Sequence, residues 1–456
     1  MKRAWKIFRN CSADAGRSIS LQKYELIESI PNSLLMLFYQ EKEVTLTGLC
    51  QEYIRFRLDR KPVERKASLV LKYLDYQKQC FETVMIREAE IVEVADEEFW
   101  TEVCVEIPEI CSSYKQAFSF VTRQYMHYVQ CKMEMPGNDF SKELCQYPAE
   151  EDAVLEQCWN LFWEERMRES DYDRLLRDMR EQGVEISGCL DRYPLYERLV
   201  QGDSLLEKQI AQWDRIYVGN SFCIMQCPDL SMWEVLFRIA LQRGYRMTMV
   251  IPPISENRIE EMKEWIALCV SDSSMCQKID LEIVVNDWGT LDYLTKMEVG
   301  NWRILAGELL LKGRRDPRRQ YRIGMRDAYD EGQQDSVWMQ KVLMKQGISQ
   351  VEVSGVCSAR TVTGGEESIR RSYHAPLYQT NTSSFCTMKA LIEQKDRGKQ
   401  SQTQDCPRYC DRYFMAYPKH LSMIGIGNSL FGFHLPTAER IAEWKIDRFV
   451  YNGLIF

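Results

Sequence analysis

Beyond about residue 205, short apolar runs alternate with longer segments whose apolar positions recur every three to four residues. This is the pattern of strand-helix units feeding a parallel sheet. The runs predict strands at Arg215–Val218, Met247–Ile251, Leu281–Val285, Trp302–Ala306, Gln350–Ser354, Ser372–His374, Leu421–Ile426 and Arg448–Tyr451. Helices are predicted between them at Ser231–Gln242, Ser255–Cys269 and Ser336–Lys345. A barrel of eight strands needs about 250 residues, which is what remains, so an α/β, TIM-barrel-like domain, complete or irregular, is expected over 205–456. Upstream the pattern differs. Leu49–Leu58, Ala67–Phe81, Ser113–Val129 and Glu151–Arg180 have helix-like spacing with few Gly or Pro breaks, and only Thr83–Val94 suggests a strand. Residues 1–204 are therefore expected to form a mainly helical domain. It carries no repeat and no chemical motif that assigns it a role; docking a protein partner is what the scaffold alternative would give it.

Length and charge add limits. A chain of 456 residues exceeds one hydrophobic core, and 45% hydrophobic with 28% charged residues is ordinary for a folded protein. The net charge of -8 provides no general attraction for nucleic acid, so RNA would have to be met by a local patch. The candidate is Lys312-Gly-Arg-Arg-Asp-Pro-Arg-Arg319, with five cations in eight residues, which a solvated loop would explain equally well. The basic Met1-Lys-Arg start is not followed by an apolar run, and the longest such run, Leu34–Tyr39, is far short of the roughly 20 residues that span a bilayer. A cytoplasmic protein without a membrane span is expected.

In that compartment the 17 cysteines are packed thiols, metal ligands or nucleophiles rather than disulfides. The seven from Cys11 to Cys145 show no ligand spacing, and Cys189, Cys269, Cys276 and Cys357 suit the core. Two pairs have a three-residue gap, Cys223 with Cys227 and Cys406 with Cys410, but among so many cysteines such gaps also arise by chance. The loops after the strands, where a barrel builds its pocket, offer other candidates. His374 suits acid-base work or a hydrogen bond in the core. Asn286 and Asp287 could orient a substrate or cap the next helix. Glu308 could move protons or pair with the nearby arginines.

Several stretches occur in a telling order: Ile216-Tyr-Val-Gly-Asn-Ser-Phe-Cys223, Leu281-Glu-Ile-Val-Val-Asn-Asp-Trp-Gly289, and Gly307–Leu311 leading to Arg315-Asp-Pro-Arg318. Tyr373-His-Ala-Pro376, Cys386, Cys406-Pro-Arg-Tyr-Cys410, Gly427-Asn428 and Asp447-Arg-Phe-Val-Tyr451 follow. Together they resemble the collagenase-like U-thirty-two peptidase family and its iron-sulfur relatives, over about 205–456. The resemblance implies a 4Fe-4S cluster, or zinc in its place, on Cys223, Cys386, Cys406 and Cys410, with Cys227 as rival to Cys223. It also implies an oxygen-independent hydroxylase acting on RNA or an aromatic small molecule. The alternatives are a peptidase, or a scaffold clamped by a structural metal. No Gly-x-Ser-x-Gly elbow and no His-Glu-x-x-His helix supports the peptidase. A pocket lined by His374, Asn286 and Glu308 is expected beside the cysteines. The segment before Cys223 is short for the family, so the opening strand lies near Val184–Ser187 or is missing.

Overall fold

The computed structural model describes residues 35–59, 62, 64–75, 78, 80–97, 99–134, 169–271, 278–297, 302–311, 332–355, 369–394, 399–416 and 423–453. The basic 312–319 segment lies outside them. So do most of the helix expected over Glu151–Arg180, the side chain of His127, and all of Cys276, Cys357 and His420. The chain divides into two compact units, Met1–Met135 and Pro136–Phe456.

The first unit is built mainly of strands, which corrects the helical expectation. β1 (Leu35–Tyr39), β2 (Lys42–Leu49), β3 (Tyr53–Leu58), β4 (Lys66–Asp75), β5 (Cys80–Asp96) and β6 (Thr101–Glu106) close an antiparallel barrel in the order β1-β2-β3-β6-β5-β4. The misread segments have a period of two. In β3, Ile54 and Phe56 are buried while Arg57 is exposed, and in β4 Ala67, Leu69 and Leu71 are buried between Lys66, Ser68 and Val70. α1 (Ser112–Glu134) is the one predicted helix of this unit among the described residues, and Tyr114, Ala117 and Val121 join it to the barrel core.

The second unit is a closed parallel barrel of eight strands in the order β10-β11-β12-β13-β18-β7-β8-β9. The strands are β7 (Glu185–Leu190), β8 (Arg215–Gly219), β9 (Met247–Ile251), β10 (Leu281–Val285), β11 (Arg303–Ala306), β12 (Gln350–Ser354), β13 (Arg370–Ala375) and β18 (Arg448–Tyr451). The opening strand is thus β7, supplied where the sequence left it open, and the expected division at residue 204 falls inside the barrel. The predicted strand Leu421–Ile426 is not a barrel stave. It lies in a four-stranded sheet inserted between β13 and β18, made of β14 (Leu377–Thr382), β15 (Met415–Ala416), β16 (Met423–Ile426) and β17 (Ser429–Phe433) in the order β14-β17-β16-β15.

The faces of the staves separate cleanly. Outward residues such as Ile186, Val218, Met249, Ile283 and Phe449 join the large core under the helices, where Trp233 and Trp265 are buried. Inward residues form a small apolar layer of Cys189, Tyr217, Val250, Val284, Leu305 and Val450. Beneath it lies a buried ionic network. Arg448 donates to both carboxylate oxygens of Glu282 at 2.7 and 3.1 Å and to Glu185 at 3.0 Å, and Arg215 donates to Asp280 at 2.6 Å. Burial pushes the Glu282 carboxyl up, but the hydrogen bonds of Arg448 and the charges of Arg448, Arg215 and Arg303 outweigh it and hold the group at about 2. Buried charges persist only with this kind of pairing.

Candidate functional site

The mouth of the barrel takes its shape from the ends of β7 and β8. β8 ends at Gly219 with φ 106°, a conformation that glycine adopts freely, and a Cβ there would stand 2.3 Å from the carbonyl oxygen of Val250. The chain then turns on Asn220, whose Oδ1 accepts from the N–H groups of Phe222 and Cys223, both at 2.8 Å, while its Nδ2 donates to the Asp191 carbonyl at 2.9 Å. This one amide fixes the loop carrying Cys223 against the end of β7.

Cys223, Cys386, Cys406 and Cys410 are brought together. Cys386 and Cys406 act strongly on one another's ionisation, and the ionisation of Cys223 feels both Cys410 and Cys406. Gln226 Nε2 donates to Cys410 Sγ at 3.0 Å and the Lys389 N–H to Cys386 Sγ at 3.4 Å. Gly427, at φ 60°, passes so close that a Cβ would stand 3.4 Å from Cys410 Sγ. Burial pushes the thiols of Cys223 and Cys410 up, to about 12 and about 11. The neighbouring Cys386 thiol pulls the Cys406 thiol down against its own burial, helped by the N–H groups of Arg408 and Tyr409. Cys227 instead donates to the carbonyls of Asn220 and Cys223 at 3.8 and 3.9 Å and belongs to the outer core.

Among the described residues, no three or more His, Cys, Asp or Glu side chains stand at the spacing that holds a metal ion. The donor chemistry does fit in kind. Four soft sulfurs from three chain segments suit a cubane cluster or zinc, and N–H donors to sulfur are contacts that tune such centres. Neutral thiols would release protons on binding.

Beside them lies a cavity of ≈ 40 Å³, room for about three water molecules, bounded by Asp191, Arg192, Cys223, Cys410, Asn428 and Phe431 among others. His374, Asn286 and Glu308 do not line it, contrary to expectation. His374 sits inside the barrel, with Nε2 2.5 Å from Glu352, Nδ1 4.0 Å from Cys189 Sγ, and its ring edge-on to Tyr217. Tyr217 donates to Glu352 at 3.2 Å and accepts from Arg448 at 2.8 Å, linking this group to the ionic network. Burial pulls the His374 pKa down, but the hydrogen bond and charge of Glu352, with Glu308 and Asp191, outweigh it and leave it raised. Asn286 is spent on the backbone, donating to Ile251 O at 2.9 Å and accepting from the Leu309 N–H at 3.2 Å. Asp287 caps α7 (Trp288–Thr295) through the N–H of Thr290 at 2.7 Å. Both thus make the backbone-clamping and capping contacts that the sequence offered as the alternative to a substrate role. Glu308 is buried just after β11, where its charge acts on His374.

Asp191, Arg192, Tyr217 and Glu352 were missed in the sequence. The available signal was a charge or hydroxyl within an otherwise apolar strand, as in Gln350-Val-Glu-Val-Ser354 and Arg215-Ile-Tyr-Val-Gly219.

No protein-family model matches the chain, and no curated protein matches it. Among solved structures, the chain aligns with the inhibitor of motility MotI/DgrA of Bacillus subtilis at 16% identity and a TM-score of 0.19, over 24% of this chain and 53% of that one. The chain thus spans about half the length of that protein. It also aligns with the U32 peptidase Mk0906 at 9% identity and a TM-score of 0.29, over 59% of this chain and 92% of that one. No helix among the described residues is long and apolar enough to cross a membrane.

Proposed function

We propose that the second unit is an iron-sulfur enzyme of the collagenase-like U-thirty-two peptidase type, acting as an oxygen-independent hydroxylase on an RNA base or aromatic molecule. The observation that supports this is that Cys223, Cys386, Cys406 and Cys410, from three chain segments, influence one another's ionisation, and that Cys223 and Cys410 line one small cavity. These four residues would hold the cluster, and a bound cluster supplies electron transfer beside the substrate. The chain's own part is acid-base and positional. Asn220 and Asn428 hold the cysteine loops, Asn428 donating to Phe222 O and Ser383 O at 2.9 and 2.8 Å. His374, backed by Glu352 inside the barrel, stores a proton and acts electrostatically on Asp191 at the cavity wall.

The test is iron and acid-labile sulfide content after anaerobic purification. Serine at any of the four ligand positions is expected to remove most of the iron, while Cys227→Ser keeps it. Full iron in all four variants, or none in the parent protein, refutes the ligand set.

One observation favours the peptidase alternative: thiol, imidazole and carboxylate stand in line at Cys189, His374 and Glu352, the order used by cysteine hydrolases. Against it, burial pushes the Cys189 thiol well up, reinforced by the charges of Asp191, Glu352 and Glu308, which keeps it protonated and a poor nucleophile. Casein cleavage abolished by Cys189→Ala but not by loss of iron would decide for the peptidase.

A further inference from the structure

Two charged side chains line the cavity beside the cysteines. Asp191 follows the end of β7, and Arg192 caps the start of α3 (Tyr193–Gln201). Arg192 is buried, 5% exposed, yet its guanidinium makes a single hydrogen bond among the described residues, from Nη1 to the Cys410 carbonyl at 3.0 Å. Its nearest carboxylate, Asp191, stands 3.9 Å away, beyond a hydrogen bond. A buried guanidinium has five N–H donors and no acceptor, so most of its donors are left for the cavity. The amides around it are already engaged: Asn220 and Asn452 are tied to the backbone at Asp191, Phe222, Cys223 and Leu377. The positive end of α3 begins at the same point, which adds to the attraction for negative charge. Asp191 retains 28% of its side-chain surface.

We propose that Arg192 and Asp191 form the binding site of a small carboxylate or enolate, with Arg192 donating to its oxygens and Asp191 sharing a proton with them. This deepens the reading above by placing an oxyacid substrate beside the cysteines, but its test needs no cluster. The walls fit a compact planar group: Phe222 and Phe431 meet edge to face at 5.1 Å, and Leu377 closes the side. Burial pushes the Asp191 carboxyl up to about 6, partly offset by Arg192. Arg192 and His374 face Asp191 as cations, and the ionisations of Cys189 and Tyr196 feel its charge. Above about pH 6 the Asp191 carboxylate repels an anion, and below it the carboxylic acid donates to one.

Oxalate, as a planar dianionic probe, should bind the full-length protein in isothermal titration calorimetry and bind more tightly as the pH falls from about 7.5 to about 5.5. Arg192→Met should weaken it at least about tenfold, since a charge-assisted hydrogen bond is lost. Asp191→Asn, which preserves shape, should bind oxalate more tightly at the higher pH and lose most of the pH dependence. His374 also gains charge on acidification, and what remains in Asp191→Asn measures its share. If the parent protein fails to bind oxalate, or Asp191→Asn leaves both the affinity and its pH dependence unchanged, the proposal is overturned. Iron is measured on the same samples. Oxalate binding without iron would remove the cluster reading and leave this site standing, and iron without oxalate binding would do the reverse.

Discussion

Glu352 holds two partners at once, His374 through one carboxylate oxygen and Tyr217 through the other. Because the pKa of His374 is raised, the pair contributes stability that is fully present below the ordinary histidine value near 6.5 and fades as pH rises through the raised one. Glu352→Gln leaves the imidazolium without its partner and is expected to cost about 3 kcal/mol at acid pH, the usual scale for breaking a buried pair. The loss should shrink above the His374 titration. Urea midpoints between about pH 5 and 9 measure it, and a loss that stays flat with pH would show that the ion pair is not its source. At this scale the sequence was partly legible. His374 stood out through its scarcity and its place after a strand, while Glu352 did not, because a glutamate in a buried strand has no pattern of its own until the barrel's inner face is known. Asn286 and Asp287 were ambiguous for the opposite reason, since residues that cap and clamp have the same chemistry as residues that orient a substrate.

At the scale of elements, the parallel strands were readable because staves packed under helices on their outer face are nearly continuous apolar runs bounded by turns. The antiparallel strands of the first unit were not, since a helix repeat and a strand repeat both fit a short mixed segment such as Tyr53–Leu58. The element with most influence on the site is the end of β8. Gly219→Ala would drive a Cβ into the Val250 carbonyl at 2.3 Å while forcing an alanine to φ 106°. Both effects fall at the point where the chain leaves the sheet for Asn220 and Cys223. A destabilisation of about 3 kcal/mol or more is expected, above the range of ordinary overpacking. Asn220 should also lose its grip on the cysteine loop. Thermal denaturation measures the first effect and iron content the second. An alanine variant as stable as the parent would mean that β8 ends differently from the geometry described here.

At the scale of the whole molecule, the division of the chain decides which pieces can fold. The barrel closes because β7 pairs with β18 on one side and β8 on the other, with Val450 opposite Ser187 and Gly188 opposite Ile216. A chain beginning at residue 205, the boundary suggested by the change of sequence rhythm, lacks β7. Its barrel would keep two open edges, at β18 and β8, with their backbone donors and acceptors exposed. It would also lose Glu185 from Arg448 and Cys189 from the inner layer. Asp191 and Arg192 would go from the cavity as well. The rhythm misled because β7 is reached by one helix, α2 (Glu169–Glu181), and followed by two short ones, so it resembled the end of a helical region. A chain of residues 136–456 keeps every stave and, as a compact unit in its own right, is expected to be soluble and to unfold in one cooperative transition. Residues 205–456 should aggregate or unfold without cooperativity. Circular dichroism melts of both chains, run with the full-length protein, would show the difference. A cooperative melt from the 205–456 chain at the parent's temperature would mean that β7 is dispensable and that the barrel is closed by something other than its eighth stave.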